Sequence, residues 1–192
     1  MEIKSRKRTR LKDYDYSRDG AYFVTICVKD RKPVLCKIVG EGLCALPKTE
    51  YTKIGIHVKN AIEFISVRYT GIFIDNYVVM PNHIHLLVRI ENSVGGHRDP
   101  PLQDIIARFK SYTTHLYGKT LWQRSFIDHI IRDERDYLEH YTYIENNPIK
   151  WESDELFTQK LKLPNWELTF SEAFLLPFLI AKMLIYFYYT FA

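Results

Sequence analysis

Two histidines separated by one residue are the first feature of this sequence whose spacing could support chemistry. His83 and His85 flank Ile84 at the start of the apolar segment HIHLLVRI. Because alternate residues of a strand point to the same face of a sheet, a strand here would direct both imidazoles at one metal ion. Ile84 would then face a core. A purely structural pair of histidines is the alternative, and the spacing alone leaves both interpretations open.

A tyrosine and an asparagine form the second candidate pair. Tyr143 and Asn147 are four residues apart in a segment predicted to be helical, so their side chains share one face of that helix. A phenol and an amide oxygen would project together from it. Glu139 lies one turn earlier, as either a further oxygen ligand or a solvated charge. Since a tyrosine on a helix more often serves packing than catalysis, the pair alone does not establish a function.

The elements that must position these residues follow from hydrophobic periodicity and turn signals. Apolar, β-branched and aromatic runs predict four strands, at residues 21–28, 72–80, 83–90 and 125–131. Three-to-four spacing predicts three helices, at residues 50–69 with Thr49 as N-cap, 102–117 ended by Gly118, and 134–147 capped by Asp133. Residues 33–48 are expected to form an irregular or hairpin excursion.

This order of elements predicts an α+β fold. The pattern β-α-β-β-α-β is typical of the ferredoxin-like, or RRM-like, fold, in which helices cover one face of an antiparallel sheet. The additional last helix would carry Tyr143. The length of 192 residues suits one domain with appended segments. We expect a basic N-terminal arm at 1–20, the domain at 21–151 and an atypical tail at 152–192.

Basic residues suggest a polyanionic partner. Six of the first twelve residues are basic, and five are candidates for binding a DNA backbone: Lys4, Arg6, Lys7, Arg8 and Arg10. A second set could track a single strand by charge and stacking: Arg108, Lys110, Trp122 and Arg124. The alternatives are a solvated terminus for the first set and ordinary surface charge or core packing for the second.

Cysteine usage and the termini bear on the cellular compartment. The three cysteines form no C-x-x-C pair, which suits neither a disulfide framework nor a zinc knuckle and favours a reducing cytoplasm. No apolar segment follows the basic N-terminus, so no secretory signal is expected.

An apolar tail at residues 173–192 is about long enough to span a membrane. Pro177 and Lys182 interrupt it, and a central lysine costs about 2.5 to 3.5 kcal/mol on insertion. A membrane anchor is therefore disfavoured but not excluded. The alternatives are a helix docked on the domain or on a partner, and a tail left by a frameshift or truncation.

Four ordered motifs resemble a known family. They are YFVTICVKDR from Tyr22, YVVMPNHIHLLV from Tyr77, LWQRSFIDHIIRDERD from Leu121, and YIENNPIKW from Tyr143. In this order they resemble the HUH transposases with one catalytic tyrosine, and most closely the REP-associated tyrosine transposases. The likeness covers about residues 10–151. The tail beyond about residue 165 has no counterpart in it.

The resemblance implies a site and a reaction. His83 and His85 would be the paired metal-binding histidines, Asn147 the third ligand, and Tyr143 the nucleophile. The implied cofactor is Mg²⁺, or Mn²⁺, which suits imidazole ligands better. The implied reaction cleaves and rejoins single-stranded DNA at hairpin elements through a 5′-phosphotyrosine, by a protein acting as a homodimer or a monomer.

Two other function classes stay open on sequence grounds. A ferredoxin-like sheet is also the platform of common RNA binders, so a catalytically inactive module that binds single-stranded nucleic acid is the alternative, although no RNP-like aromatic pattern is present. A metal-dependent hydrolase using activated water would make Tyr143 dispensable. Function is decided by the site and not by the fold.

Overall fold

A four-stranded antiparallel sheet is the centre of the computed structural model, which describes residues 14–39, 47–91, 100–151 and 156. Its strands are β1 (Gly20–Cys27), β4 (Ile72–Val79), β5 (His83–Ile90) and β6 (Ile127–Ile130), in the order β4-β5-β1-β6. A separate hairpin pairs β2 (Cys36–Val39) with β3 (Lys48–Tyr51). This strand order is that of the ferredoxin-like fold, so the predicted α+β class is confirmed.

Besides a short 3-10 helix at Lys29–Arg31, the described residues form three α-helices: α1 (Lys53–Arg68), α2 (Leu102–Tyr117) and α3 (Glu134–Asn146). The apolar sides of α1 and α2 share one core cluster with the sheet. Rings on α3 contact the other face of the sheet, where Tyr143 meets His85. The sheet therefore has a helix-covered core face and a second face that carries the histidines.

Alternation along β5 assigns its residues to these two faces. Ile84, Leu86 and Val88 belong to the apolar core cluster, at 0%, 0% and 1% exposure. The side chains of His83 and His85 point the opposite way, as the predicted strand requires. Since β5 pairs with β1 on one side and β4 on the other, the strand that carries both histidines is held at both edges.

The start of α1 corrects one expectation. Thr52, and not Thr49, is the N-cap, and its hydroxyl accepts from the Gly55 amide at 3.1 Å and donates to the Leu35 carbonyl at 2.9 Å. Thr49 lies instead in β3, opposite Ile38. A Cβ atom on Gly55 would lie 1.9 Å from the Leu35 carbonyl oxygen. The helix therefore begins in close contact with the chain that precedes β2.

Several expectations fall outside the described residues. They concern residues 1–13 of the basic arm, with its five candidate lysines and arginines, and the apolar segment 173–192. Within the ranges that are described, no helix combines the length and the apolar character that a membrane crossing needs. The proposed division at residues 20 and 151 stays a prediction.

Candidate active site

The two imidazoles of β5 lie side by side. Their ring centroids are 4.6 Å apart, and His83 and His85 are 0% and 3% exposed. Buried polar side chains are normally hydrogen-bonded, and each ring has a defined partner at Nδ1. For His83 it is Asn82 Oδ1 at 2.8 Å, and for His85 it is Thr25 Oγ1 at 2.8 Å. These bonds hold both rings in fixed orientations.

The environment of His83 favours a neutral ring. Burial, and secondarily the positive charge of Arg31, lower the pKa of His83 to about 3. A neutral imidazole has one nitrogen lone pair that can bind a metal. The Nε2 atom of His83 is buried and has no hydrogen-bond partner among the described residues. A metal ion at Nε2 would satisfy this atom, so His83 fits the role of a ligand.

Helix α3 places Tyr143 and Asn147 beside the histidines. The side chain of Asp133 caps the helix by accepting from the Asp136 amide, as predicted. The Tyr143 ring meets the His85 ring at 5.2 Å and 73°. Tyr143 is 43% exposed, whereas Asn147 is 2% exposed at the C-terminal end of the helix. The helix thus combines an accessible phenol with a buried amide.

Phe23 on β1 lies at the centre of these side chains. Its ring stacks on His85 at 5.0 Å and meets Tyr143 at 5.8 Å and His140 at 4.6 Å. Sequence reasoning did not single out Phe23, because an aromatic residue in an apolar strand indicates core packing. Its alternation with the buried Tyr22 and Val24 was the available signal that it faces away from the core.

An open cleft of about 1220 Å³ joins His85, Tyr143 and Asn147. Two basic residues that the sequence analysis did not name, Arg135 and Lys150, also line it. Lys150 directly follows the segment Asn147-Pro148-Ile149, which was the signal that could have identified it.

Glu139 lines the same cleft but pairs with Arg135 at 3.0 Å. Both side chains of this pair are mainly exposed, at 62% for Glu139 and 89% for Arg135. Glu139 thus belongs to a solvent-exposed ion pair. This favours the interpretation that it is a solvated charge and not a further oxygen ligand.

The four internal candidates for DNA contact do not form one track on the histidine face. Arg108 is exposed on α2 and lines a groove against α1. Arg124 is exposed in the loop before β6, and Lys110 donates to the carbonyl oxygens of Gln123 and Arg124 at 2.7 and 3.0 Å. Lys110 therefore stabilises this loop.

Trp122 requires a correction. Its side chain is 3% exposed, packs against Phe109, and donates from Nε1 to Thr113 Oγ1 at 2.8 Å. A base could stack on this ring only if the core opened. Trp122 is thus a core residue in this structure, and the expectation that it contacts DNA is not supported.

A second cluster of possible metal ligands, His129, Asp136 and His140, joins β6 to α3. His129 donates from Nε2 to the Asp136 carboxylate at 2.9 Å, and His140 Nδ1 donates to the Asp136 carbonyl oxygen at 2.8 Å. The two imidazoles stack at 4.7 Å and 17°. Nearly parallel, stacked rings cannot both hold one ion in their planes, so this geometry indicates a hydrogen-bonded tie between strand and helix.

Comparisons with known proteins point in one direction. No protein-family model matches the chain. An uncharacterized protein of Haemophilus influenzae is 35% identical over 176 residues, covering 81% of this chain and 94% of that protein. The REP-associated tyrosine transposase of Escherichia coli is 28% identical over 137 residues, covering 70% of each chain. The solved structure of a REP-associated tyrosine transposase bound to a REP hairpin has a TM-score of 0.55 and 26% identity, covering 74% of this chain and 73% of that one.

Proposed function

The chain is similar to REP-associated tyrosine transposases, and we propose that it belongs to this family and cleaves and rejoins single-stranded DNA at hairpin elements, with Tyr143 as the nucleophile. One observation carries the assignment of the nucleophile. Tyr143 is exposed in a cleft and its ring lies 5.2 Å from that of His85. A reacting phosphate in the cleft could therefore meet both a phenol and the histidine pair.

The same site would hold a divalent metal, Mg²⁺ or Mn²⁺. His83 and His85 would supply imidazole nitrogens, and Asn147 would supply its amide oxygen. Such an ion orients a scissile phosphate and neutralises charge that develops on its oxygens. The proposal is supported by the buried Nε2 atom of His83 and by the low pKa of this ring. Imidazole ligands favour Mn²⁺ on softness, and oxygen ligands suit either ion.

The proposed reaction exchanges one phosphoester bond for another. The phenol oxygen of Tyr143 attacks the phosphorus atom, the bond from phosphorus to the 3′-oxygen breaks, and a 5′-phosphotyrosine forms. The phenol loses its proton to solvent, and the departing 3′-oxygen gains one. Because the phosphodiester energy is conserved in the covalent bond, attack by another 3′-hydroxyl reverses the step without ATP.

Contacts with the DNA backbone would come from the basic residues of the cleft wall and from the N-terminal arm. Lys150 lines the cleft on the side of Asn147, and its charge could bind a phosphate near the reacting one. Binding that depends on such contacts weakens steeply with salt. We propose that the chain acts on a hairpin either as a homodimer or as a monomer.

A covalent-adduct assay tests the proposed function. The purified chain is incubated with labelled single-stranded hairpin DNA and Mg²⁺ or Mn²⁺, and the products are separated on a denaturing gel. We expect a metal-dependent protein–DNA band that Tyr143→Phe abolishes while hairpin binding is retained. Tyr141→Phe is the matched control, because Tyr141 is a similarly exposed tyrosine of the same helix that stacks on Tyr137. The Tyr141→Phe variant should form the adduct as the unmodified chain does.

Two results would overturn this assignment. An adduct that persists in Tyr143→Phe would mean that another residue is the nucleophile. Strand cleavage without any adduct would instead indicate hydrolysis by activated water. Binding without cleavage, across hairpins of varied sequence and with both metals, would favour the catalytically inactive binding module.

A further inference from the structure

Asn82, the residue before the first histidine, is fully buried, and its side-chain amide contacts Arg31, Leu156 and His83. It is 0% exposed and follows Pro81 in the tight turn that joins β4 to β5. This turn is closed by the Met80 amide, which donates to the His83 carbonyl at 2.9 Å. A turn residue is ordinarily at the surface. The burial of this one indicates that its side chain has a specific role inside the protein.

The hydrogen bonds of Asn82 define which way its amide faces. Its Nδ2 group donates to the Arg31 carbonyl at 3.3 Å and to the Leu156 carbonyl at 2.7 Å. A carbonyl oxygen only accepts, so the amide nitrogen must face these two groups. The amide oxygen therefore faces His83, where it lies 2.8 Å from Nδ1.

The orientation of the amide fixes the position of a proton on His83. Because Asn82 Oδ1 can only accept, His83 Nδ1 must donate, and a neutral ring then carries its lone pair on Nε2. Free neutral histidine in water prefers the opposite tautomer, with its proton on Nε2. The other ring differs, because the hydroxyl of Thr25 can donate to or accept from His85 Nδ1. Of these two contacts, the one with Asn82 specifies a tautomer.

We infer that Asn82 is a positioning residue that holds His83 in the Nδ1-protonated tautomer, with the Nε2 lone pair directed into the site. The same amide connects the histidine to two separate segments, the turn at Arg31 and the chain at Leu156 beyond α3. Groups that hold the second nitrogen of a ligating histidine typically change metal affinity by about 10- to 100-fold when removed. The part of the inference that concerns metal rests on the proposed function.

Nitrogen NMR of the histidine rings tests the inference without any metal. In the chain labelled with ¹⁵N histidine and held at pH 8, His83 should show a protonated Nδ1 and an unprotonated Nε2. Asn82→Leu, which keeps the side-chain volume and removes the acceptor, should return His83 to the Nε2-protonated form or to a mixture. Thr25→Val is the matched control, since it removes the partner of His85 and should leave the His83 signals unchanged.

The tautomer of His83 is the result that tests the role of Asn82. An Nε2-protonated His83 in the unmodified chain would overturn it, whether or not the Asn82→Leu variant folds. An unchanged Nδ1-protonated signal in folded Asn82→Leu would also overturn it.

Mn²⁺ titration of the same two proteins then separates this inference from the proposed function. We expect affinity to fall about 10- to 100-fold in Asn82→Leu. If the unmodified chain bound no Mn²⁺ or Mg²⁺ while His83 had the expected tautomer, the metal proposal would fail and the assignment of Asn82 to the tautomer would stand.

Discussion

The rings of His85 and Tyr143 meet edge to face, with centroids 5.2 Å apart, although one residue belongs to the middle of the sheet and the other to the last described helix. Their contact joins two elements that are far apart in sequence. The sheet fixes the histidine, whereas α3 carries the tyrosine and is joined to the sheet by aromatic contacts at Phe23 and His85 and by the hydrogen bond between His129 and Asp136. The distance between the proposed nucleophile and the proposed metal site thus depends on how α3 packs.

Phe23 should control this packing. Phe23→Leu removes ring contacts to His85, Tyr143 and His140 and lets α3 shift. Because displacement of a reacting group by about 1 Å costs up to roughly 100-fold in rate, we expect adduct formation to slow about 10- to 100-fold. Single-turnover gel assays measure the rate of adduct formation. Phe64→Leu, at an exposed site on α1, is the control, and equal rates in the two variants would contradict the role of Phe23.

Thr25 should matter for metal binding. Thr25→Val removes the hydrogen bond between Thr25 Oγ1 and His85 Nδ1, at 2.8 Å, and replaces a buried hydroxyl by a methyl group. We expect Mn²⁺ affinity to fall about 10- to 100-fold, as measured by calorimetry. Thr113→Val is the matched control, because Thr113 is another buried threonine, bonded to Trp122 on the helix-covered side. Equal affinity losses in both variants would point to general destabilisation.

Trp122→Phe should lower stability and leave DNA binding unchanged. The substitution removes the hydrogen bond from Nε1 to Thr113 and part of a buried ring. We expect the free energy of unfolding to fall by about 1 to 3 kcal/mol, measured by urea denaturation. Hairpin affinity should stay within twofold. A large loss of affinity with little loss of stability would restore Trp122 as a DNA contact.

Asp136→Asn should reveal a pH-dependent contribution to stability. Burial tends to raise the pKa of Asp136, but hydrogen bonds from His129 and the Arg132 amide, with the nearby histidine charges, lower it overall. A lowered folded-state pKa stabilises the protein above the unfolded pKa of about 3.9, and this stability is lost as pH falls through the folded value.

We therefore expect Asp136→Asn to lower the free energy of unfolding by about 1 kcal/mol at pH 6. The difference between the two proteins should shrink below about pH 4. Chemical denaturation at pH 6 and at pH 3 measures this difference in the free energy of unfolding. A difference that is the same at pH 6 and pH 3 would mean that the carboxylate charge contributes nothing.

Continuous periodic segments made much of the fold predictable. The observed bounds of β5 and α2 match the predicted 83–90 and 102–117, because turns and a left-handed Gly118 delimit them clearly. The predicted start of α1 was wrong because β3, with the polar sequence KTEY, carries no apolar alternation of its own that would indicate a strand. Its strand conformation comes from pairing with β2, which is a tertiary effect.

The candidate site was predictable only in part. Spacing placed His83 beside His85 and Tyr143 near Asn147, since local geometry decides such pairs. Spacing could not identify Phe23 or Asn82, because their roles depend on groups distant in sequence, which are rings on α3 for Phe23 and main-chain carbonyls for Asn82. The misplaced role of Trp122 has the same origin, as the partner that buries its indole lies on another element.

The pairing of β1 with β5 sets Thr25 opposite His85 and Cys27 opposite His83, and this register constrains how the gene can change. A one-residue slip of β5 in this register would turn its residues to the opposite faces, placing imidazoles in the apolar core and isoleucines in the cleft. Such a slip would abolish the site and the core together. Substitutions on the core face, such as exchange of Ile84 for another aliphatic residue, preserve the register. Along this strand, homologous proteins should therefore differ in residue type and keep the same strand length.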